Sequence, residues 1–326
     1  MKILLTGASG FVGSHILDSL RALGLPVAIL LRPSSSRAFI GPDSSGVETR
    51  PGSIGDPASL RQAMAGITHV IHCAGATKAC RVSGFYEVNQ GGTRNVIEAV
   101  NAQAGRVERL VHISSLAAAG PAVPEKPARE SDTPCPVSEY GRSKLAAELE
   151  VRNGCRADYV ILRPPAVYGP RDAEFLRLFQ AVKSHFLPRP GIKQALSLVF
   201  VRDLAQAAVT CLTHPSTAGK TYFVAEKAIS TAPMMAAEIA SRMGVWTLPL
   251  PLPAALLWTM CLGQEALSRL TGKANVLSLQ KFAELRAPGW VCDPTLLERD
   301  TGFSCRTGLK DGVAETLSWY RQHHWL

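Results

Sequence analysis

Tyr140 and Lys144 stand four residues apart, the spacing that puts two side chains on one face of a helix. A phenol with a pKa near 10 is a poor base at neutral pH unless its anion is stabilised. A neighbouring ammonium can do this, and a drop of ~3 pKa units corresponds to about 4 kcal/mol of differential stabilisation. Ser115 precedes the tyrosine by about 25 residues and follows the apolar run Leu110–Ile113, which puts its hydroxyl at the C-terminal end of a predicted strand. Open α/β sheets bind ligands at such strand ends. A serine there can hydrogen-bond a substrate oxygen beside the tyrosine. Together the three residues read as a proton-transfer group for a carbonyl or an alcohol.

The elements that must position this group begin with Thr6-Gly7-Ala8-Ser9-Gly10-Phe11-Val12-Gly13. The apolar run Ile3–Leu5 precedes it, and Val12, Ile16, Leu17, Leu20 and Leu23 follow at helical spacing. A strand therefore enters a tight turn that opens a helix. Gly7 permits the turn, Gly10 lets backbone approach a pyrophosphate, and Gly13 lets the helix lie close on the strand. The first helical N–H groups and the positive dipole end face the phosphates. A second strand, Val27–Leu31, ends in Arg32-Pro33-Ser34-Ser35-Ser36-Arg37. An acidic residue at that strand end would accept from the 2′-hydroxyl of NAD. Here Leu31 holds the acidic position and Arg32 suits a 2′-phosphate, which favours NADP, with NAD the alternative.

Strands and helices alternate onward: Val47–Arg50, then Gly52-Ser53-Ile54 and a helix over 57–65, then Val70–Cys73 ending in Ala74-Gly75-Ala76-Thr77. A helix is predicted over 86–104, containing Asn89, then the strand before Ser114-Ser115, a helix through Arg152, and a strand over 159–162. This alternation predicts a doubly wound parallel sheet of Rossmann type. From about residue 230 helices dominate. We expect a dinucleotide-binding domain over 1–170 plus about 198–229, and a smaller, mostly helical C-terminal substrate lobe over about 171–197 plus 230–326. His72 and His112, on central strands, read as core residues.

Of the 326 residues 46% are hydrophobic, and the net charge is +9. That charge suits anions such as a phosphorylated cofactor or an anionic membrane surface. No basic run interleaved with aromatics marks a nucleic-acid partner. The eight cysteines include no C-x-x-C pair, so reduced thiols in a cytoplasmic protein are expected, without a metal site. No secretory leader is expected, because the first strand begins at residue 2 or 3. Met243–Gln264 carries no charge, but its prolines leave a helical part far shorter than the ~20 residues that span a bilayer. We expect no transmembrane segment there, but a buried or lid helix, with peripheral membrane contact as the alternative.

The chain resembles the extended short-chain dehydrogenase/reductases in four stretches: Thr6–Gly13; Asn89 with Gly92-Thr93; Ser115 with Tyr140-x-x-x-Lys144; and Leu162–Pro170 with Val201–Ala205. The resemblance implies Tyr140 as general acid/base, Lys144 as the group that holds the ribose and lowers the tyrosine pKa, and Ser115 as the residue that polarises the carbonyl. Asn89 matches a position that supports this network. Cofactor contacts would come from Gly7, Ser9, Gly10, Phe11, Val12 and Gly13, and from Arg32, Ser53 and Ile54. Further cofactor contacts would be Ala74, Gly75, Thr77, Ser114, Tyr140, Lys144, Pro164 and Val167. Substrate contacts would fall to Thr77, Ser115, Tyr140, Ala166, Arg171 and Phe186. A homodimer through the helices near 86–104 and 139–152 is a further implication.

Departures from the family pattern narrow the chemistry. Sugar 4,6-dehydratases follow their catalytic hydroxyl with Asp-Glu, whereas Ser115 is followed by Leu116-Ala117. Nucleotide-sugar epimerases carry Gly-Asp-Gly and Arg-Asp-Phe before the last sheet strand, and Pro190–Phe200 has neither, leaving Arg171 and Lys193 as phosphate contacts. Arg32 resembles the NADPH-using branch of dihydroflavonol reductases. The proline-rich lobe from Val245 resembles that of 3β-hydroxysteroid dehydrogenase-like members. A pocket of Phe186, Leu187, Trp246, Leu256, Leu257 and Trp258 would suit an apolar substrate. We expect an NADP(H)-dependent oxidoreductase acting on a small, fairly apolar carbonyl or secondary alcohol. A nucleotide-sugar epimerase with tightly bound cofactor is the alternative, and a non-catalytic NADP-sensing protein a third reading.

Overall fold

The computed structural model describes residues 1–41, 46–103, 105–190, 194–252, 256, 258–259, 261–264 and 279–326. The strands of its main sheet are β1 (Ile3–Thr6), β2 (Val27–Leu31), β3 (Val47–Pro51), β4 (His69–His72), β5 (Arg109–Ile113) and β6 (Asp158–Arg163), with β10 (Lys220–Phe223) at one edge. They run parallel in the order β10-β6-β5-β4-β1-β2-β3. The order reverses between β1 and β4, the crevice where doubly wound sheets bind dinucleotides. Successive side chains of a strand point to opposite faces. Thus Ile3 and Leu5 pack with α1 (Phe11–Ala22) and α8 (Val201–Thr213), while Leu4 faces α2 (Pro57–Ala63), α4 (Gly92–Asn101) and α6 (Glu139–Gly154). His72 and His112 are paired neighbours on β4 and β5, and both are buried. Thr6 and Thr93 bond the two ring nitrogens of His72, at 2.8 and 2.9 Å.

Two local features depart from the periodicity. The helix expected over 86–104 is broken into α3 (Val82–Phe85), a π-helical turn over Tyr86–Gly91, and α4. The extra residue in that turn carries Asn89 inward, where it is 1% exposed. The later chain also contains strands that its composition conceals. β7 (Ala166–Tyr168), β9 (Ala195–Phe200), β11 (Ile229–Ser230) and β13 (Gly289–Trp290) form a second sheet, and β8 (Phe186–Pro190) pairs with β12 (Leu248–Leu252). Half of them are only two or three residues long, and their pairing comes from residues far apart in sequence, so no local alternation announces them. A third core joins α7 (Phe175–Lys183), α9 (Ala232–Met243) and α12 (Leu309–Gln322) through Phe179, Ile239, Val313, Leu317 and Tyr320. Further helices among the described residues include α5 (Leu116–Ala119), α10 (Leu279–Arg286) and α11 (Thr295–Thr301). No helix among the described residues is long and apolar enough to cross a membrane.

Candidate active site

A cleft of about 1500 Å³ opens at the C-terminal ends of the central strands. Its floor is the glycine turn. Gly7 has φ +78, and a Cβ there would lie 2.7 Å from the Ala74 amide nitrogen. A Cβ on Gly13 would sit 2.0 Å from the Gly7 carbonyl oxygen. No side chain caps α1 at Gly10, and Phe11, Val12 and Gly13 line the cleft, so the first helical turn presents its backbone to whatever binds there. This uncapped cradle of bare backbone fits a pyrophosphate. Gly13→Ala has no room to relax, since the obstacle is backbone. It is expected to lower stability by about 3 kcal/mol or more and to abolish dinucleotide binding. Urea unfolding and a fluorescence titration with NADPH check both effects.

The chemical group converges on one wall. Ser138 caps α6 by accepting from the Gly141 amide at 3.1 Å, and the helix then carries Tyr140 and Lys144 into the cleft. Ser115 caps α5 by accepting from the Ala117 amide at 3.1 Å, and it lines the same cleft as Tyr140. The Lys144 ammonium donates to the Ile113 carbonyl at 2.7 Å. A Cβ added to Gly75 would lie 3.1 Å from Asn89 Oδ1, a tight contact that would press on Asn89. Asn89 ties the strand-end loop to α6. Its Oδ1 accepts from the Ala76 amide at 2.7 Å, and its Nδ2 donates to the Ala76 carbonyl and to Ser143 Oγ at 3.0 and 2.9 Å.

Burial pushes the Tyr140 phenol up to about 12; the Ser115 hydroxyl offsets part of this, and the Glu284 and Glu174 carboxylates add to it. Burial also lowers the Lys144 ammonium to about 8. In both groups desolvation favours the uncharged form.

Gly7, Gly10, Phe11, Val12, Gly13 and Gly75 line the cleft, as do Thr77, Asn89, Ser114, Ser115, Tyr140 and Lys144. Pro164, Ala166, Val167 and Arg171 complete the expected residues found there. Ser9, Arg32, Ser53, Ile54 and Ala74 lie outside its lining. Ser53 bonds Ser59 at 3.1 Å, Ile54 closes on Gly92, and Ala74 backs the Gly7 turn. Arg171 is paired with Asp18 at 2.8 Å and lies over the Phe39 ring, so its charge is already met within the fold. Phe186 does not reach the cleft: it sits on β8 and is 52% exposed. Trp246, Leu256 and Trp258 are likewise exposed, whereas Leu187 packs in the third core. These residues therefore do not form the expected substrate pocket, because β8 and β12 pair with each other and turn one face outward. Leu257 and Lys193 lie outside the described residues.

Sequence reasoning missed the buried charges beneath the site. Glu148, one turn after Lys144, accepts from Ser114 Oγ at 2.5 Å and from Arg163 Nε and Nη2 at 2.9 and 2.7 Å. Arg163 is 1% exposed and lies over the Phe223 ring. This pair joins the ends of β5 and β6 to α6, the three elements that carry Ser115, Pro164 and Tyr140. The signal was the spacing Lys144-x-x-x-Glu148, which puts a carboxylate on the helix face turned to the sheet.

Fold and site together define a nicotinamide-dependent enzyme of the extended short-chain dehydrogenase/reductase type. Residues 3–225 match the family model described as the NAD dependent epimerase/dehydratase family, and the chain belongs to that family. It is 32% identical to a ceramide reductase of Caulobacter vibrioides, covering 99% of this chain and 96% of the relative. It is 31% identical to a UDP-glucose 4-epimerase of Vibrio cholerae, covering 84% and 87% respectively. Among solved structures it resembles the UDP-glucose 4-epimerase of Thermus thermophilus in complex with NAD, with TM-score 0.77 and 26% identity, covering 98% of this chain and 99% of that one.

Proposed function

We propose that the protein is an NADPH-dependent reductase of a carbonyl carried by an amphiphilic, ceramide-type lipid. The observation that carries this reading is the convergence of Ser115, Tyr140 and Lys144 on one cleft whose floor is the bare-backbone glycine turn. Reduction needs a proton donor, and a protonated tyrosine is one. When bound, the nicotinamide supplies the hydride. Ser115 orients the substrate oxygen, Tyr140 delivers its proton, and Lys144 holds the ribose and favours the tyrosinate left behind. Phe85, Phe175, Leu178, Leu196, Leu285 and Trp290 give the cleft apolar walls that suit an acyl chain. The similarity to a ceramide reductase over nearly the full chain supports the lipid class.

Arg32 follows β2 and is exposed, which supports a 2′-phosphate contact. A charge-assisted bond is worth ~1.5–3 kcal/mol, so Arg32→Ala is expected to weaken NADPH binding by about 10- to 100-fold and leave NADH binding unchanged. Parallel titrations of both cofactors test this, and an NADH preference in the unaltered protein would overturn the reading of Arg32. The second reading, an epimerase that oxidises and re-reduces a UDP-sugar, is favoured by the Vibrio cholerae relative. We assign cofactor binding to 1–170 plus about 198–229 and substrate binding to the remainder. No disulfide is present among the described residues, which supports a cytoplasmic location. Apolar exposure of Val88 and Leu149 supports a homodimer through the helices that carry them.

A further inference from the structure

A second surface lies outside the cleft. β8 and β12 form a two-stranded parallel ribbon with Leu248 opposite Phe186. One side is anchored, since Leu187 packs with Phe179 and Val182. The other is bare: Phe186, Leu248 and Leu250 are 52%, 47% and 40% exposed. Trp246, at the ribbon's entrance, is 65% exposed and is held by His185, whose ring stacks on it at 4.5 Å and bonds its carbonyl at 2.8 Å. Past the ribbon, the helical residues Leu256, Trp258 and Leu262 are also exposed, while Cys261 is buried. Seven of the fourteen exposed large hydrophobics among the described residues fall in these two stretches, a concentration that scattered surface apolar residues do not produce.

Charge indicates what covers this face. The stretch 175–202 contains no Asp or Glu and carries the exposed cations Arg177 and Lys183, whereas Arg242, the one basic residue of 239–264, is paired with Glu238 at 2.8 Å. A surface rich in Trp, Phe and Leu, bordered by Arg177 and Lys183 of α7, complements anionic headgroups over an acyl layer. We propose that this face docks the protein on an anionic phospholipid bilayer. The aromatic and leucine side chains enter the headgroup boundary, and the cations of α7 meet the lipid phosphates. The docking goes beyond the reductase reading and does not depend on it, although it would bring the cleft to a membrane-resident substrate.

Co-sedimentation of the full chain with vesicles tests this. Vesicles of mixed phosphatidylglycerol and phosphatidylcholine should bind about ten-fold or more tightly than phosphatidylcholine alone, and added salt should reduce the difference. The double variant Trp246→Ser/Leu250→Ser, and separately Lys183→Glu, should weaken binding with unchanged melting temperature and NADPH affinity. A wild-type protein that stays in the supernatant with anionic vesicles overturns the proposal. So do variants that bind as tightly as wild type, or a dimer that Trp246→Ser dissociates and that ignores vesicles, which would put a second copy on this face. Reduction of a short water-soluble ketone reads the catalytic proposal separately, because it needs no membrane.

Discussion

Replacing Tyr140 with phenylalanine is expected to lower turnover by about 10²- to 10⁴-fold while NADPH still binds. The ring remains, so its packing near Phe85, 6.1 Å between centroids, is kept, and only the proton-bearing oxygen is lost. Ser115→Ala should lower turnover through the same oxygen. The double variant should be little worse than Tyr140→Phe alone, because groups that act as a unit are not additive. Stopped-flow reduction with saturating cofactor, beside a binding titration, separates these effects. Turnover within ten-fold of wild type in Tyr140→Phe would remove the tyrosine from the reaction.

The second large effect concerns stability. Arg163→Met is expected to cost about 3–5 kcal/mol, because it strands the Glu148 carboxylate, whose side chain is fully buried. Ser114 and the half-exposed Arg152, at 3.3 Å, cannot replace a bidentate guanidinium. Replacing both partners with methionine should cost less than Arg163→Met alone, since no uncompensated charge remains. Urea unfolding of the two single variants and the double variant closes the cycle. A single Arg163→Met variant as stable as wild type would show that the pair does not hold the three site-bearing elements together.

The glycine turn and the Tyr140–Lys144 spacing were legible because each obeys a local rule: backbone clearance in one case, helical period in the other. Ser115 was legible because strand ends gather ligands in this sheet class. Asn89 could be named, but the π-helical turn that points it inward could not, since helical periodicity does not register one inserted residue. Glu148 and Arg163 escaped because a buried ion pair is a long-range event, with β6 and α6 meeting only in the fold. Phe186 misled for the opposite reason. Its apolar character suggested a pocket, but the pairing of β8 with β12 decides which way it points, and that pairing joins residues about 60 apart in sequence.

The most direct test of the central claim follows the hydride. Protein, NADPH deuterated at nicotinamide C4 and a long-chain keto-amide lipid should yield an alcohol with deuterium on the carbinol carbon, with one NADPH consumed per alcohol formed. Tyr140→Phe should yield almost none. Interconversion of a UDP-sugar with no net loss of NADPH, and no deuterium in any lipid product, would contradict the account and favour the epimerase.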